Sequence, residues 1–201
     1  RLGNKKGSLL VWALYGKTAE VKSDEHLEMT IRTAQTLLDQ NKNEESFVVY
    51  QRFMNQFNAD KCDSKELCVE LQAKSRLYIS NWIKKYKSSP SPLLLQAIEV
   101  YAKSNLNDIE MLNWSGHIAK HLEFNAQAAQ NYHLASEQSF LILKRNKFTE
   151  TNLDKKQVNN IFEGALLAEI ECAEDSNSDQ KKQQAYDHYL KLNPKGEKAA
   201  E

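Results

Sequence analysis

Proline and glycine are scarce, with three Pro and six Gly in 201 residues. A sheet protein of this length needs many tight turns, and those recruit Gly, Pro, Asn-Gly or Asp-Gly. Neither dipeptide occurs, and no proline falls between Pro92 and Pro194. A mostly β fold is therefore not expected. The glycines stand apart from one another, so there is no GxxxxGK[ST], GxGxxG or GxSxG and no Gly-rich phosphate cradle. Long apolar runs are missing too. The longest, Leu9 to Tyr15 (LLVWALY), is far too short to span a bilayer, so no membrane insertion is expected. Charge of one sign is also missing, because Lys+Arg and Asp+Glu both number 27. That balance lacks the basic excess that drives binding to nucleic acid or to an anionic membrane. The first residue is Arg rather than Met, which reads as a fragment of a longer chain.

What is present is helix-forming. Ala, Leu, Gln, Glu and Lys abound. Apolar periodicity and stop signals place eight or nine helices. The first covers about 8–19, with Trp12 and Tyr15 near one face. The second follows the cap candidates Ser23 and Asp24, with Leu27, Ile31, Ala34, Leu37 and Leu38 as its stripe. The third, about 44–57, turns Phe47, Tyr50, Phe53 and Phe57 inward. A long fourth, about 64–86, carries Leu67, Leu71, Leu77, Tyr78 and Trp82. KSSPSP then breaks the chain, which allows a subdivision near 88–92. Pro92 opens the fifth as a first-turn proline. Asn107 or Asp108 caps the sixth, which ends near His121. The seventh spans about 125–144, Asp154 opens the eighth, and the ninth runs from about Gln180 to Leu192. Short connections force successive helices into antiparallel hairpins.

Repetition separates a bundle from a solenoid. Gly116, Ala128, Tyr132 and Ala135 are spaced by 12, 4 and 3 residues, and Ala34, Ser46, Tyr50 and Phe53 repeat that spacing. The last position is large in the earlier set. At the end of the chain, AYDHYLKLNPKGEKAAE supplies Tyr186, Tyr189 and Pro194. This small–small–aromatic–small skeleton, closed by an exit proline, resembles the tetratricopeptide repeat (TPR) over about half the chain. The phrasing YxxF and YxxYLxLNP is similar to that of bacterial cell-envelope members. These include outer-membrane assembly lipoproteins, cell-division coordinators and gliding-machinery subunits. Gly116 and Ala34 lie 82 residues apart, not a multiple of 34, so irregular helices must intervene. The resemblance implies an all-α, TPR-like α-solenoid over residues 1–201. Small residues of each first helix would admit the second closely, and tyrosines would fill the space between hairpins.

The same resemblance implies that first helices line a concave face. Glu110, Asn113, His117 and Lys120 would point into that groove, as would Glu28, Ile31, Gln35 and Leu38 of the earlier repeat. Asn113 and Lys120 are a fragment of a carboxylate-clamp set, too little to expect a clamp. The competing account of this strip is an ordinary solvated helix face.

Catalytic and metal signals are weak. His117 and His121 share a helix face and His133 lies on the next helix, but HIAKH lacks the Glu of HExxH. No metal, cofactor or catalytic residue is expected, and Cys172 reads as a small core hydrophobe. Lys74, Arg76, Lys84, Lys85 and Lys87 interleave with Tyr78, Trp82 and Tyr86, a pattern that also occurs in single-strand binders. The stripe assignment of Tyr78 and Trp82 favours packing, and no nucleic-acid partner is expected. Cys62 and Cys68 either form a disulfide across a short loop or remain two reduced thiols. A disulfide implies an oxidising compartment. The expected function is a non-catalytic protein–protein interaction scaffold, binding a protein or peptide within a periplasmic envelope assembly. The alternative is a regulatory peptide-binding domain of an intracellular, cytoplasmic signalling protein.

Overall fold

The computed structural model describes residues 24–57, 64–148, 151, 153–176 and 178–196. Within them lie eight α-helices: α1 Asp24–Asp39, α2 Asn43–Gln56, α3 Lys65–Tyr86, α4 Pro92–Ser104, α5 Ile109–His121, α6 Asn125–Arg145, α7 Lys155–Glu174 and α8 Asp179–Leu192. No strand occurs among the described residues. The helix expected over 8–19 lies outside them. The chain divides into two compact units, Arg1–Ser89 and Pro90–Glu201.

Helix ends follow local chemistry. The side chains of Ser64, Ser91, Asp108 and Ser178 each accept a backbone N–H of the first turn, satisfying a donor the helix itself leaves open. Asp154 and Gln157 form a reciprocal capping box at the start of α7. Three C-termini share one device. At α1 the Lys42 N–H donates to Leu37 O and the Asn41 N–H to Leu38 O. At α5 the donors are Phe124 to Ala119 O and Glu123 to Lys120 O, and at α6 they are Lys147 to Ile142 O and Asn146 to Leu143 O. These paired bonds are Schellman turns. Each needs a left-handed residue, and here those are Asn41, Glu123 and Asn146, with φ of 62°, 61° and 54°.

In the first unit α1 packs on both α2 and α3. Ala34, Ser46, Tyr50 and Phe53 are all buried, and the Ser46 hydroxyl donates to Ala34 O at 2.7 Å. The Tyr78 ring stacks on Tyr50 with centroids 4.4 Å apart, and its hydroxyl lies 2.8 Å from Ser46 Oγ. Tyr50 reaches Ser75 at 3.0 Å. Burial pushes the phenol pKa of both tyrosines up, so they stay neutral. The stripe of α3 differs from expectation at Leu77, which is 57% exposed. Ser75, Ile79 and Ile83 are buried instead, because α1 and α2 cover the arc centred on Tyr78 and Trp82.

In the second unit α5 packs on α4, α6 and α7, α6 on α7, and α7 on α8. A Cβ added to Gly116 would meet Tyr132 Cδ1 and Cε1 at 2.6 Å, so the ring lies where any larger residue would have its side chain. Ala128, Tyr132 and Ala135 are buried around it. The hairpins α1–α2 and α5–α6 correspond in detail. Ala34 and Gly116 each stand five residues before the last helical residue, and the left-handed turns at Asn41 and Glu123 keep the same 82-residue offset.

The third hairpin, α7–α8, departs from that scheme. The residue five before the end of α7 is Glu169, which is buried. Of the two tyrosines in α8, Tyr189 is buried in the apolar cluster with Phe162, Leu166, Ile170, Ala173 and Ala185. Tyr186 is only half-buried and its hydroxyl donates to the Glu174 carboxylate at 2.6 Å. Both were expected at core positions, and only Tyr189 occupies one.

Candidate functional site

The strip expected to face a partner lies on α5. Glu110, Asn113 and Lys120 are half-buried and His117 is exposed along one edge. Helical spacing puts Asn113, His117 and Lys120 on one side of α5. These side chains are already engaged within the fold. His117 Nδ1 lies 2.8 Å from the Tyr132 hydroxyl, and its Nε2 lies 3.1 Å from the Asn113 amide. One ring nitrogen donates and the other accepts, so the neutral imidazole links α5 to α6. Burial, with the Lys120 charge second, holds its pKa below the ordinary histidine value. Lys120 donates to Glu171 on α7 at 2.5 Å. That bond raises the Lys120 pKa.

The corresponding positions on α1 behave differently. Ile31 is 2% exposed and Leu38 is 1% exposed, so neither offers surface to a partner. Both were expected in the groove; α2 and α3 converge on α1 and enclose them. Gln35 is half-buried, donates to Asp39 at 2.9 Å and accepts from Asn81 of α3 at 3.2 Å. Glu28 accepts from Lys74 of α3 at 2.7 Å. The Lys74 bond, against the opposing effect of burial, holds the Glu28 carboxyl below the usual range. The polar side of α1 is therefore joined to α3.

An open cleft of about 540 Å³ lies between α4, α5 and α6. Leu106, Leu112, Ala126 and Leu134 give it apolar walls, and Glu99 and Asn131 a polar side. Glu99 accepts from Gln127 at 2.6 Å and from Asn131 at 3.1 Å. Leu106 is exposed at its mouth. The cleft thus sets an apolar wall against a carboxylate held by two amides. Sequence reasoning missed it, because the cleft opens on the side of α5 away from the expected strip. The exposed Leu106 was its one local signal.

The histidines do not group as their sequence spacing suggested. His117 pairs with Asn113 and Tyr132, whereas His133 Nδ1 lies 2.9 Å from Glu169 Oε1. His188 Nδ1 lies 2.7 Å from the other oxygen of that carboxylate. Burial pushes the Glu169 pKa up, but the two imidazole bonds outweigh it and the carboxyl sits below its ordinary value.

Tyr78 and Trp82 are buried, so the aromatic rings interleaved with the basic residues of α3 are core. Lys85 donates to Leu38 O at 2.8 Å. Cys172 is a free, buried thiol. Cys68 is disulfide-bonded, and its expected partner, Cys62, lies outside the described residues. No helix among the described residues is long and apolar enough to cross a membrane. No family model matches the chain, and neither a curated protein nor a solved structure matches it.

Proposed function

We propose that this chain is a non-catalytic protein-interaction scaffold of TPR-like stacked hairpins, working in an extracytoplasmic bacterial envelope assembly. The observation that carries the reading is the seating of Gly116 under the Tyr132 ring, with Ala34, Ser46 and Tyr50 as its counterpart 82 residues earlier. Small-against-aromatic nesting between paired helices is the packing logic of this repeat. Contact of α1 with α3, and of α5 with α7, supports it further, because neighbouring first helices meet in such a stack. The oxidised state of Cys68 favours an oxidising compartment over the reducing cytosol.

The binding surface in this reading is the cleft between α4, α5 and α6. Its ligand is an extended or helical peptide with one apolar side chain for the Leu112–Leu134 wall and a donor for Glu99. The test is affinity capture with the folded protein, followed by crosslinking and mass spectrometry. Crosslinks should concentrate on Lys103, at the cleft. Leu106→Glu and Gln130→Ala, both at exposed positions of the cleft, should lose the partner while the melting temperature stays unchanged. A partner held equally well by both variants would remove this surface, and with it the reading.

A further inference from the structure

Glu169 occupies the place in its hairpin that Ala34 and Gly116 occupy in theirs, and it is 6% exposed. A carboxylate at such a site is costly unless its lone pairs are satisfied. His133 of α6 and His188 of α8 satisfy it, one on each oxygen, through Nδ1. With Glu169 ionised, each Nδ1 carries the proton and donates. Nε2 is then the nitrogen each ring has left over for a further ligand.

Those second nitrogens are what the hydrogen-bond network leaves over. His188 is 7% exposed, and its Nε2 is buried without a hydrogen-bond partner. His133 Nε2 lies 3.8 Å from Glu137 Oε2. The two rings lie against each other with centroids 3.9 Å apart. One ligand atom each from His133, Glu137 and His188 falls within 4.8 Å of the others. A histidine pair held only to neutralise Glu169 would explain the Nδ1 bonds. It would leave the buried Nε2 of His188 unexplained, and an unsatisfied buried polar atom is costly.

The geometry points to a divalent transition-metal site, with Zn²⁺ as the ion it fits, held by His133 Nε2, His188 Nε2 and the Glu137 carboxylate and oriented by Glu169. Two imidazoles and a carboxylate form a zinc ligand set that leaves a fourth position for water or a partner's side chain. Ligand distances of about 2.0–2.1 Å place donor atoms roughly 3.4 Å apart in a tetrahedron. The half-exposed Glu137 has room to close the remaining gap. A carboxylate that accepts the far N–H of each ligating histidine fixes the tautomer and raises ligand basicity. Here one carboxylate does this for both rings. Glu137 and Glu169 set two negative charges against the nearby Lys191, so the local field favours a dication. His133 and Glu137 sit on α6, His188 on α8 and Glu169 on α7, so the ion would tie the third hairpin to the second.

Protein stripped with a chelator should take up one Zn²⁺ per chain on calorimetric titration. Co²⁺ in its place should give the visible absorption of a four-coordinate ion. Zn²⁺ should also raise the melting temperature of the wild type. His133→Gln and Glu137→Gln, both at half-exposed positions, should weaken binding by about tenfold or more and keep the far-UV circular dichroism. Glu169→Gln should weaken it by about 10–100-fold, the usual effect of losing such a supporting carboxylate. His121→Gln, on the exposed end of α5, should bind as the wild type does. No uptake by the wild type, or uptake that survives both His133→Gln and Glu137→Gln, would overturn the assignment.

Discussion

Gly116 is a residue whose replacement sets two effects against each other. Alanine gains about 1 kcal/mol of helix propensity over glycine. Its Cβ, however, would stand 2.6 Å from the Tyr132 ring, which is buried. Overpacking of that kind costs about 1–3 kcal/mol. Gly116→Ala should therefore lower stability in urea denaturation, and adding Tyr132→Leu should return part of the loss. Ser46 makes a different case. Its hydroxyl bridges Ala34 O and the Tyr78 phenol, so Ser46→Ala leaves a buried phenol short of a partner. A loss of about 1–3 kcal/mol is expected by the same measurement. His117 links structure to pH. Because burial and Lys120 lower its pKa in the fold, the unfolded chain takes up the proton first as pH falls. Its contribution is complete above the unfolded pKa of about 6.5 and declines as pH drops from there through the folded value. Comparing melting temperatures of His117→Asn and wild type across that window should show a shallower acid decline in the variant.

At the scale of elements, the left-handed turns differ in how well their residues suit them. Asn41 and Asn146 tolerate positive φ, whereas Glu123 bears the Cβ penalty that asparagine and glycine reduce or avoid. Glu123→Gly should raise the stability of the α5–α6 hairpin by about 1 kcal/mol, read as a higher urea midpoint. Helix starts were legible in the sequence because a cap speaks to a backbone donor only two or three residues away. Asp108 and Asp154, read as helix openers, act at that range; Ser91 and the Gln157 half of the capping box act there too and were not read. The facing of α3 and α1 was less legible. Leu77 turned outward because burial depends on where a neighbouring helix lies, which periodicity does not carry; Ile31 is buried as its stripe position indicates, against the groove position that the repeat resemblance implied. Glu169 was invisible for a related reason. Its partners stand 36 and 19 residues away on two other helices, and a glutamate in an amphipathic helix reads as surface until its neighbours are known.

The whole molecule divides at Ser89, within the KSSPSP break, so each unit carries its own core. The apolar clusters around Val158 and around Tyr189 lie wholly inside the second unit. Residues 90–201 alone should therefore be helical and melt cooperatively, as judged by circular dichroism; a non-cooperative melt would mean that this unit depends on the first. Within that unit, Cys172 is 0% exposed on α7, the helix that meets α5, α6 and α8. Burial pushes its thiol pKa up, so an intact fold protects it twice, by access and by protonation. The rate at which an alkylating reagent captures this sulfur then acts as an internal clock for transient opening of α7. Because Cys68 is already bonded, the readings from that clock come from the second unit and not from α3.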